Sequence, residues 1–356
     1  MKICTIIGAR PQFIKAAVVS RIIQETDGVE EILIHTGQHF DANMSDVFFE
    51  ELNIRKPDHQ LKIGGGTHGQ NTGRMIEAIE NVLIAEKPDW VLVYGDTDST
   101  LAGALAAVKL HIPIAHVESG LRSYNRRMPE EINRVLTDHA ANLLFAPTNT
   151  AVGNLKNEGI DSDKVHQVGD VMYDATLYYR ESAKRPSSIE EIDDKFILCT
   201  IHRAENTDDL TRLTRILDGL NVIAEEHIII LPLHPRTAGV IKRMPSLKLK
   251  DNIKIINPVG FLEMHWLLQH CSVVMTDSGG VQKEAFFHRK PCVTLRDETE
   301  WVELVDAGVN ILAAPGSADI VLALKSMMGL EIDKKLNLYG DGQTGKRLLD
   351  IIMVEK

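Results

Sequence analysis

Short apolar runs alternate along the chain with stretches whose apolar positions recur three and four residues apart. Residues 3–7 (Ile-Cys-Thr-Ile-Ile) read as a buried strand. Gly8 to Pro11 forms a turn, and Pro11 suits the first position of a helix running to about residue 25. Strands follow at 31–35, 90–94, 112–117 and 143–146, with helices at 71–86, ended by Lys87-Pro88, and at 99–110. The second half repeats the rhythm, with strands at 196–201, 228–233, 253–256, 272–276 and 292–295 and helices near 210–225, 263–269 and 281–287. Alternating strands and helices predict parallel sheets with helices on both faces.

This pattern gives an α/β protein of two Rossmann-like, doubly wound domains facing a central cleft. The expected boundaries are 1–170 for the first domain and 171–340 for the second, with a helix over 341–356 packing back across the domains. The polar stretch 184–194 is expected near the join, and residues 165–168 are open to either sheet. In such sheets ligands sit at the carboxyl ends of the strands, so reactive residues are sought just after strands.

A length of 356 residues agrees with two domains. The 44% hydrophobic and 25% charged composition is that of a globular enzyme. A net charge of −11 excludes general binding to nucleic acid or to an acidic membrane surface, so an anionic substrate needs a local basic patch. The four cysteines form no CxxC pair and read as small buried hydrophobes in a reducing compartment. No apolar run reaches the ~18 residues of a membrane span, and the N-terminal run is too short for a signal peptide. The expectation is a cytoplasmic protein.

Two turns could take anions. Gly8-Ala9-Arg10-Pro11 lies at a helix start, with Arg10 and Lys15 adding positive charge, although an ordinary strand–helix turn explains the same residues. Asp277-Ser278-Gly279-Gly280 follows a strand and opens a helix, and Glu284 lies about a turn and a half further on, in reach of ribose hydroxyls. Acids or a histidine stand at further strand ends: Asp96, Glu118, the Glu130-Glu131 pair and His202. Such groups converging on a cleft suit acid–base chemistry. Their bland alternatives are a helix cap for Asp96, a complement to a helix N-terminus for Glu130 or Glu131, and a structural role for His202. No H-E-x-x-H pattern or tight Asp/Glu/His cluster is present, and no metal site is expected. The absence of a G-x-S-x-G elbow disfavours an acyl-transfer hydrolase.

At these residues the chain resembles the non-hydrolysing UDP-N-acetylglucosamine 2-epimerases. The matching segments include 8–15, His35-Thr-Gly-Gln-His39, 94–97, His116 to Arg122, 129–134, 200–206, His234-Pro-Arg236, 276–284 and Tyr339-Gly-Asp-Gly342, in family order. The resemblance implies a glycosyltransferase-B type fold and a UDP-linked N-acetylated amino sugar as substrate. Its chemistry is elimination and re-addition of UDP across carbons 1 and 2, without nicotinamide or metal. Position by position it implies acid–base roles for Asp96, Glu118, Glu130 and His202. It further implies substrate and diphosphate contacts for Arg10 and Lys15, a phosphate loop at Ser278, Gly279 and Gly280, and a ribose contact for Glu284; Arg122, Arg134 and Trp301 are further candidate substrate-binding residues. Gln38, His39 and Arg74 fall where some bacterial relatives bind an allosteric UDP-GlcNAc, and relatives imply a homodimer.

One segment departs from the family pattern. Arg296-Asp-Glu-Thr-Glu-Trp301 carries a tryptophan where many members have a substrate-binding arginine. With Val168-Gly-Asp-Val-Met-Tyr-Asp174, it resembles the branch acting on UDP-2,3-diacetamido-2,3-dideoxyglucuronate. A flat Trp301 ring suits the extra acetamido group, and Arg122, Arg126 and Arg127 are candidates for the carboxylate. The competing readings are a glycosyltransferase of the same fold, a hydrolysing 2-epimerase and a catalytically silent nucleotide-sugar sensor.

Overall fold

The computed structural model describes residues 1–38, 52, 54–189, 192, 195–233, 235–244 and 248–355. The chain divides into two compact units, Met1–Leu177 with Leu338–Lys356, and Tyr178–Asn337.

The strands of the first unit are β1 (Lys2–Ile7), β2 (Glu30–His35), β3 (His59–Gln60), β4 (Trp90–Tyr94), β5 (Ile114–Val117), β6 (Leu143–Ala146) and β7 (Val165–Gln167). Its helices begin with α1 (Arg10–Gln24), α2 (His68–Glu86), α3 (Asp98–Lys109), α4 (Pro129–Ala140), α5 (Asn149–Asn157) and α6 (Val171–Tyr179). The seven strands form one parallel sheet in the order β3-β2-β1-β4-β5-β6-β7. Strand β1 pairs on both edges, and all its residues from Ile3 on are buried, which explains its near-continuous apolar run. Helix α2 starts with reciprocal bonds between Thr67 and Gln70 and ends at Lys87, which takes a left-handed φ of 49° before Pro88.

In the second unit lie α7 (Ala204–Thr207), α8 (Leu210–Ile223), α9 (Pro235–Ile241), α10 (Phe261–His270), α11 (Gly279–Phe287), α12 (Val302–Asp306) and α13 (Ser317–Met327). They accompany β8 (Ile197–Thr200), β9 (Ile229–Pro232), β10 (Ile253–Ile256), β11 (Val273–Thr276), β12 (Cys292–Thr294) and β13 (Asn310–Leu312). This sheet is also parallel, in the order β10-β9-β8-β11-β12-β13. Alternate residues supply cores on its two faces: Ile197, Cys199 and Met275 on one, Leu198 and Val274 on the other. The final helix, α14 (Thr344–Val354), belongs to the first unit. Its first turn is held there, with the Gly345 N–H donating to Asp174 (2.8 Å) and the Thr344 hydroxyl to the Val168 carbonyl (3.2 Å).

Some expectations need correction. The chain passes to the second unit within α6, after residue 177 and not at 170, and residues 338–340 return to the first unit. The 165–168 segment, open to either sheet, is β7 and pairs with β6 of the first. Strand β13 was not foreseen, because three residues are too few for a readable period. Residues 190, 191, 193 and 194 of the polar stretch lie outside the described residues.

Each sheet reverses its winding direction once, between β1 and β4 in the first unit and between β8 and β11 in the second. Such a switch point opens a crevice at the carboxyl ends of those strands. Arg10 and Asp96 follow the first pair of strands and His202 and Ser278 the second, while Glu118 follows the neighbouring β5.

Candidate functional site

In the first unit, Gln12 builds the turn after β1. Its side-chain oxygen accepts from the Gly8 and Ala9 N–H groups (2.8 and 3.0 Å), and its amide donates to the Tyr94 carbonyl and Thr100 Oγ1 (2.9 and 3.0 Å). The ends of β1 and β4 are thereby tied together. A Cβ at Gly8 would lie 2.1 Å from the hydroxyls of Ser99 and Thr36, so only glycine fits there. Arg10 is half-buried at the start of α1. Lys15, further along the helix, is buried, and its ammonium pairs with Glu118.

Glu118 directly follows β5 with a φ of +69°. Left-handed backbone at a non-glycine residue costs ~1–3 kcal/mol and persists only where its surroundings impose it. Here the Glu118 and Ser119 N–H groups both donate to the Phe145 carbonyl, at 3.1 Å each.

Asp96 follows β4 and Gly95, whose φ is +61°. It is not the cap of the next helix: Thr97 is, its hydroxyl accepting from the Thr100 N–H. The Asp96 carboxylate instead accepts from Arg134 Nη2 at 2.6 Å. Burial raises the Asp96 carboxyl above its ordinary value, Glu118 and Glu130 add to this, and Arg134 and Lys15 oppose it. The side chain is still 31% exposed, so the group is both perturbed and accessible.

Glu130 is half-buried in the first turn of α4. Its neighbour Glu131 is buried and shapes the preceding loop, accepting from the Ser123 N–H and hydroxyl and from the Tyr124 N–H, all at 2.9 Å. Arg134 is buried against Asp96 and lies 3.2 Å from Glu131.

Arg122 corrects an expectation. Its side chain is 1% exposed, gripping Glu158 through Nε and Nη2 (2.7 Å each) and Asp138 and the Leu121 carbonyl through Nη1 (2.7 Å each). A guanidinium so enclosed is an internal strut and does not receive a substrate carboxylate. Arg126 and Arg127, by contrast, are exposed.

Among the effector candidates, Gln38 accepts from the Ser99 N–H (3.1 Å) and hydroxyl (2.7 Å). Arg74 is exposed on α2, and His39 lies outside the described residues, as does His234.

In the second unit, His202 follows β8 and Asp277 follows β11, adjacent strands. Asp277, the first residue of the Asp277-Ser278-Gly279-Gly280 motif, organises the turn. Fully buried, it accepts from the His202 and Arg203 N–H groups (3.1 and 3.0 Å) and from Asn206 (3.1 Å). It also lies 3.5 Å from His202 Nδ1, while the His202 side chain is 45% exposed. Ser278 caps α11, its hydroxyl accepting from the Val281 N–H. A Cβ added to Gly279 or Gly280 would meet nothing nearer than 3.6 Å, so the helix start is open in the way an anion site requires. Glu284 is half-buried on the same helix.

Trp301 differs from expectation. It is buried, with Lys283 Nζ 4.1 Å from the centre of its ring, so that face is covered rather than offered to an acetamido group. Its Nε1 edge instead comes within 3.6 Å of where a Gly279 Cβ would stand. Beside it Glu300 bridges Arg296 (2.9 Å) and Arg203 (3.5 Å). Although burial opposes ionisation, these two cations hold its carboxyl below the usual range. Among the described residues, no group of three or more His, Cys, Asp or Glu is arranged to hold a metal ion, and no helix is long and apolar enough to cross a membrane.

A family model described as UDP-N-acetylglucosamine 2-epimerase matches residues 21–353. The chain belongs to this family. It is an isomerase by that membership. It is 58% identical over 355 residues to the UDP-2,3-diacetamido-2,3-dideoxy-D-glucuronate 2-epimerase of Pseudomonas aeruginosa, covering 99% of each chain. The UDP-N-acetylglucosamine 2-epimerase of Methanocaldococcus jannaschii is 46% identical over 367 residues, covering all of both chains. A crystal structure of the M. jannaschii epimerase with UDP-GlcNAc and UDP superposes with a TM-score of 0.90 at 45% identity, over 99% of this chain and 100% of that one. The Neisseria meningitidis epimerase bound to UDP-GlcNAc gives a TM-score of 0.89 at 32% identity, over 99% and 100%. The architecture is thus that of glycosyltransferase-B type epimerases, and none of these relatives favours the transferase or hydrolysing readings.

Proposed function

We propose that this epimerase inverts carbon 2 of UDP-2,3-diacetamido-2,3-dideoxyglucuronate. A base removes the proton from carbon 2, and the carbon 1–oxygen bond breaks with its electron pair passing to UDP. A double bond between carbons 1 and 2 results. UDP then adds back at carbon 1 as a proton is delivered to the opposite face of carbon 2. No atom is gained or lost, and UDP ends attached.

The observation that carries the substrate choice is the 58% identity over nearly the whole chain to a relative named for that sugar. Trp301, in place of the arginine common in the family, supports it, as do the exposed Arg126 and Arg127, suited to a sugar carboxylate. We assign acid–base work to Asp96, Glu118, Glu130 and His202. Support comes from the raised Asp96 carboxyl and from the strained backbone of Glu118. The departing diphosphate goes to the α11 start at Ser278, Gly279 and Gly280, with Arg10 and Lys15 as cations and Glu284 on the ribose. A cytoplasmic homodimer is the assembly the resemblance supports.

The test is turnover of each nucleotide sugar by the purified enzyme. The diacetamidoglucuronate is expected to have the higher kcat/KM, and Arg126→Ala with Arg127→Ala to lower that value while leaving any turnover of UDP-GlcNAc unchanged. Turnover of UDP-GlcNAc alone refutes the substrate assignment.

A further inference from the structure

Behind the strand ends of the first unit lies a buried ionic array with no place in the reaction as described. His116, the third residue of β5, is fully buried. Its Nε2 donates to the Gly95 carbonyl at 2.7 Å, and its Nδ1 lies 2.7 Å from Asp138 Oδ1. The other oxygen of Asp138, on α4, accepts from the Gly120 N–H (3.1 Å) and from Arg122 (2.7 Å). Arg122 in turn holds Glu158 with a two-pronged grip.

The chain order gives this arrangement its meaning. Residues 116 and 120 are both anchored on one carboxylate, and Glu118 stands midway between them with its φ of +69°. The same histidine ties down Gly95, which directly precedes Asp96. Buried charges are costly to assemble, so added stability is a weak explanation for such an array.

We propose that His116, Asp138 and Arg122 form a positioning clamp that holds the turns after β4 and β5, and through them the carboxylates of Asp96 and Glu118. It rests on the acid–base assignment above. None of the three is a catalytic residue, and none needs to reach the substrate.

Asp138→Asn is the first variant, nearly isosteric and lacking the charge. Its kcat is expected to fall about 10- to 100-fold, the range set by a misplacement near 1 Å. KM, and the affinity for UDP measured by calorimetry, should change less than about threefold. Where Asp138→Asn does not give a folded protein, His116→Gln supplies the same readout, since its amide can still donate to Gly95 while the bond to Asp138 is lost. Glu118→Gln and the double variant complete a cycle. Because the clamp also holds Asp96, adding Asp138→Asn to Glu118→Gln should lower kcat by a smaller factor than it does in the wild type. Additive losses, or Asp138→Asn at wild-type kcat beside an inactive Glu118→Gln, overturn the clamp and leave the acid–base assignment standing. Wild-type turnover by Glu118→Gln overturns both.

Discussion

Gly95 offers a way to separate backbone strain from damage to the reacting groups. Its φ is +61°, and a Cβ there would lie 3.2 Å from Glu118 Oε2 and 3.5 Å from Lys15 Nζ. Gly95→Ala therefore has two effects. Left-handed backbone at alanine costs ~1–2 kcal/mol, which for a unit of this size lowers Tm by about 2–8 °C. The methyl group also displaces the Glu118–Lys15 pair by a few tenths of an ångström. Because a shift near 1 Å can cost ~10² in rate, kcat should fall roughly tenfold. Gly28→Ala is the control: its φ is +79°, yet a Cβ there meets nothing within 4 Å. It should lose similar stability and retain wild-type kcat. The assay is steady-state epimerisation well below either Tm, with Tm from circular dichroism. A Gly95→Ala enzyme within twofold of wild-type kcat, or an equal loss in Gly28→Ala, refutes the reasoning.

Two further predictions concern titration. Arg134 opposes the burial that raises the Asp96 carboxyl, so Arg134→Gln should move the Asp96-dependent limb of the kcat/KM profile to higher pH. A profile unchanged or moved to lower pH contradicts this. Glu31 is buried, its Oε1 accepting from Thr5 (2.6 Å) and Ser20 (2.9 Å), and burial raises its carboxyl. A raised acid contributes stability that is complete below the unfolded value of about 4.5 and is lost as pH rises through the native value. Glu31→Gln keeps the acceptor and removes the titration, so its Tm advantage over wild type should grow between pH 4 and pH 8; an advantage that shrinks instead refutes the assignment.

Much of this was legible in the sequence because both sheets are parallel and their central strands are buried on two faces, which writes long apolar runs such as residues 3–7. The strand-end positions of Asp96, Glu118, His202 and Ser278 followed directly. Short edge strands such as β13 left no period to read. The partners of the site groups were hidden for another reason. Asp138 sits within α4, where a lone polar residue resembles any solvated position, and only the tertiary fold brings it to His116 and Arg122. For the same reason Arg122 looked like a free cation and Trp301 like an open aromatic face, since burial by Glu158 or Lys283 is not a local property.

Proton NMR of the purified enzyme in D₂O with UDP-2,3-diacetamido-2,3-dideoxyglucuronate and no added cofactor reads the chemistry at carbon 2 directly. The predicted result is the 2-epimer with deuterium at carbon 2 and UDP still attached. Inversion with the original proton retained, or release of free sugar and UDP, would contradict it.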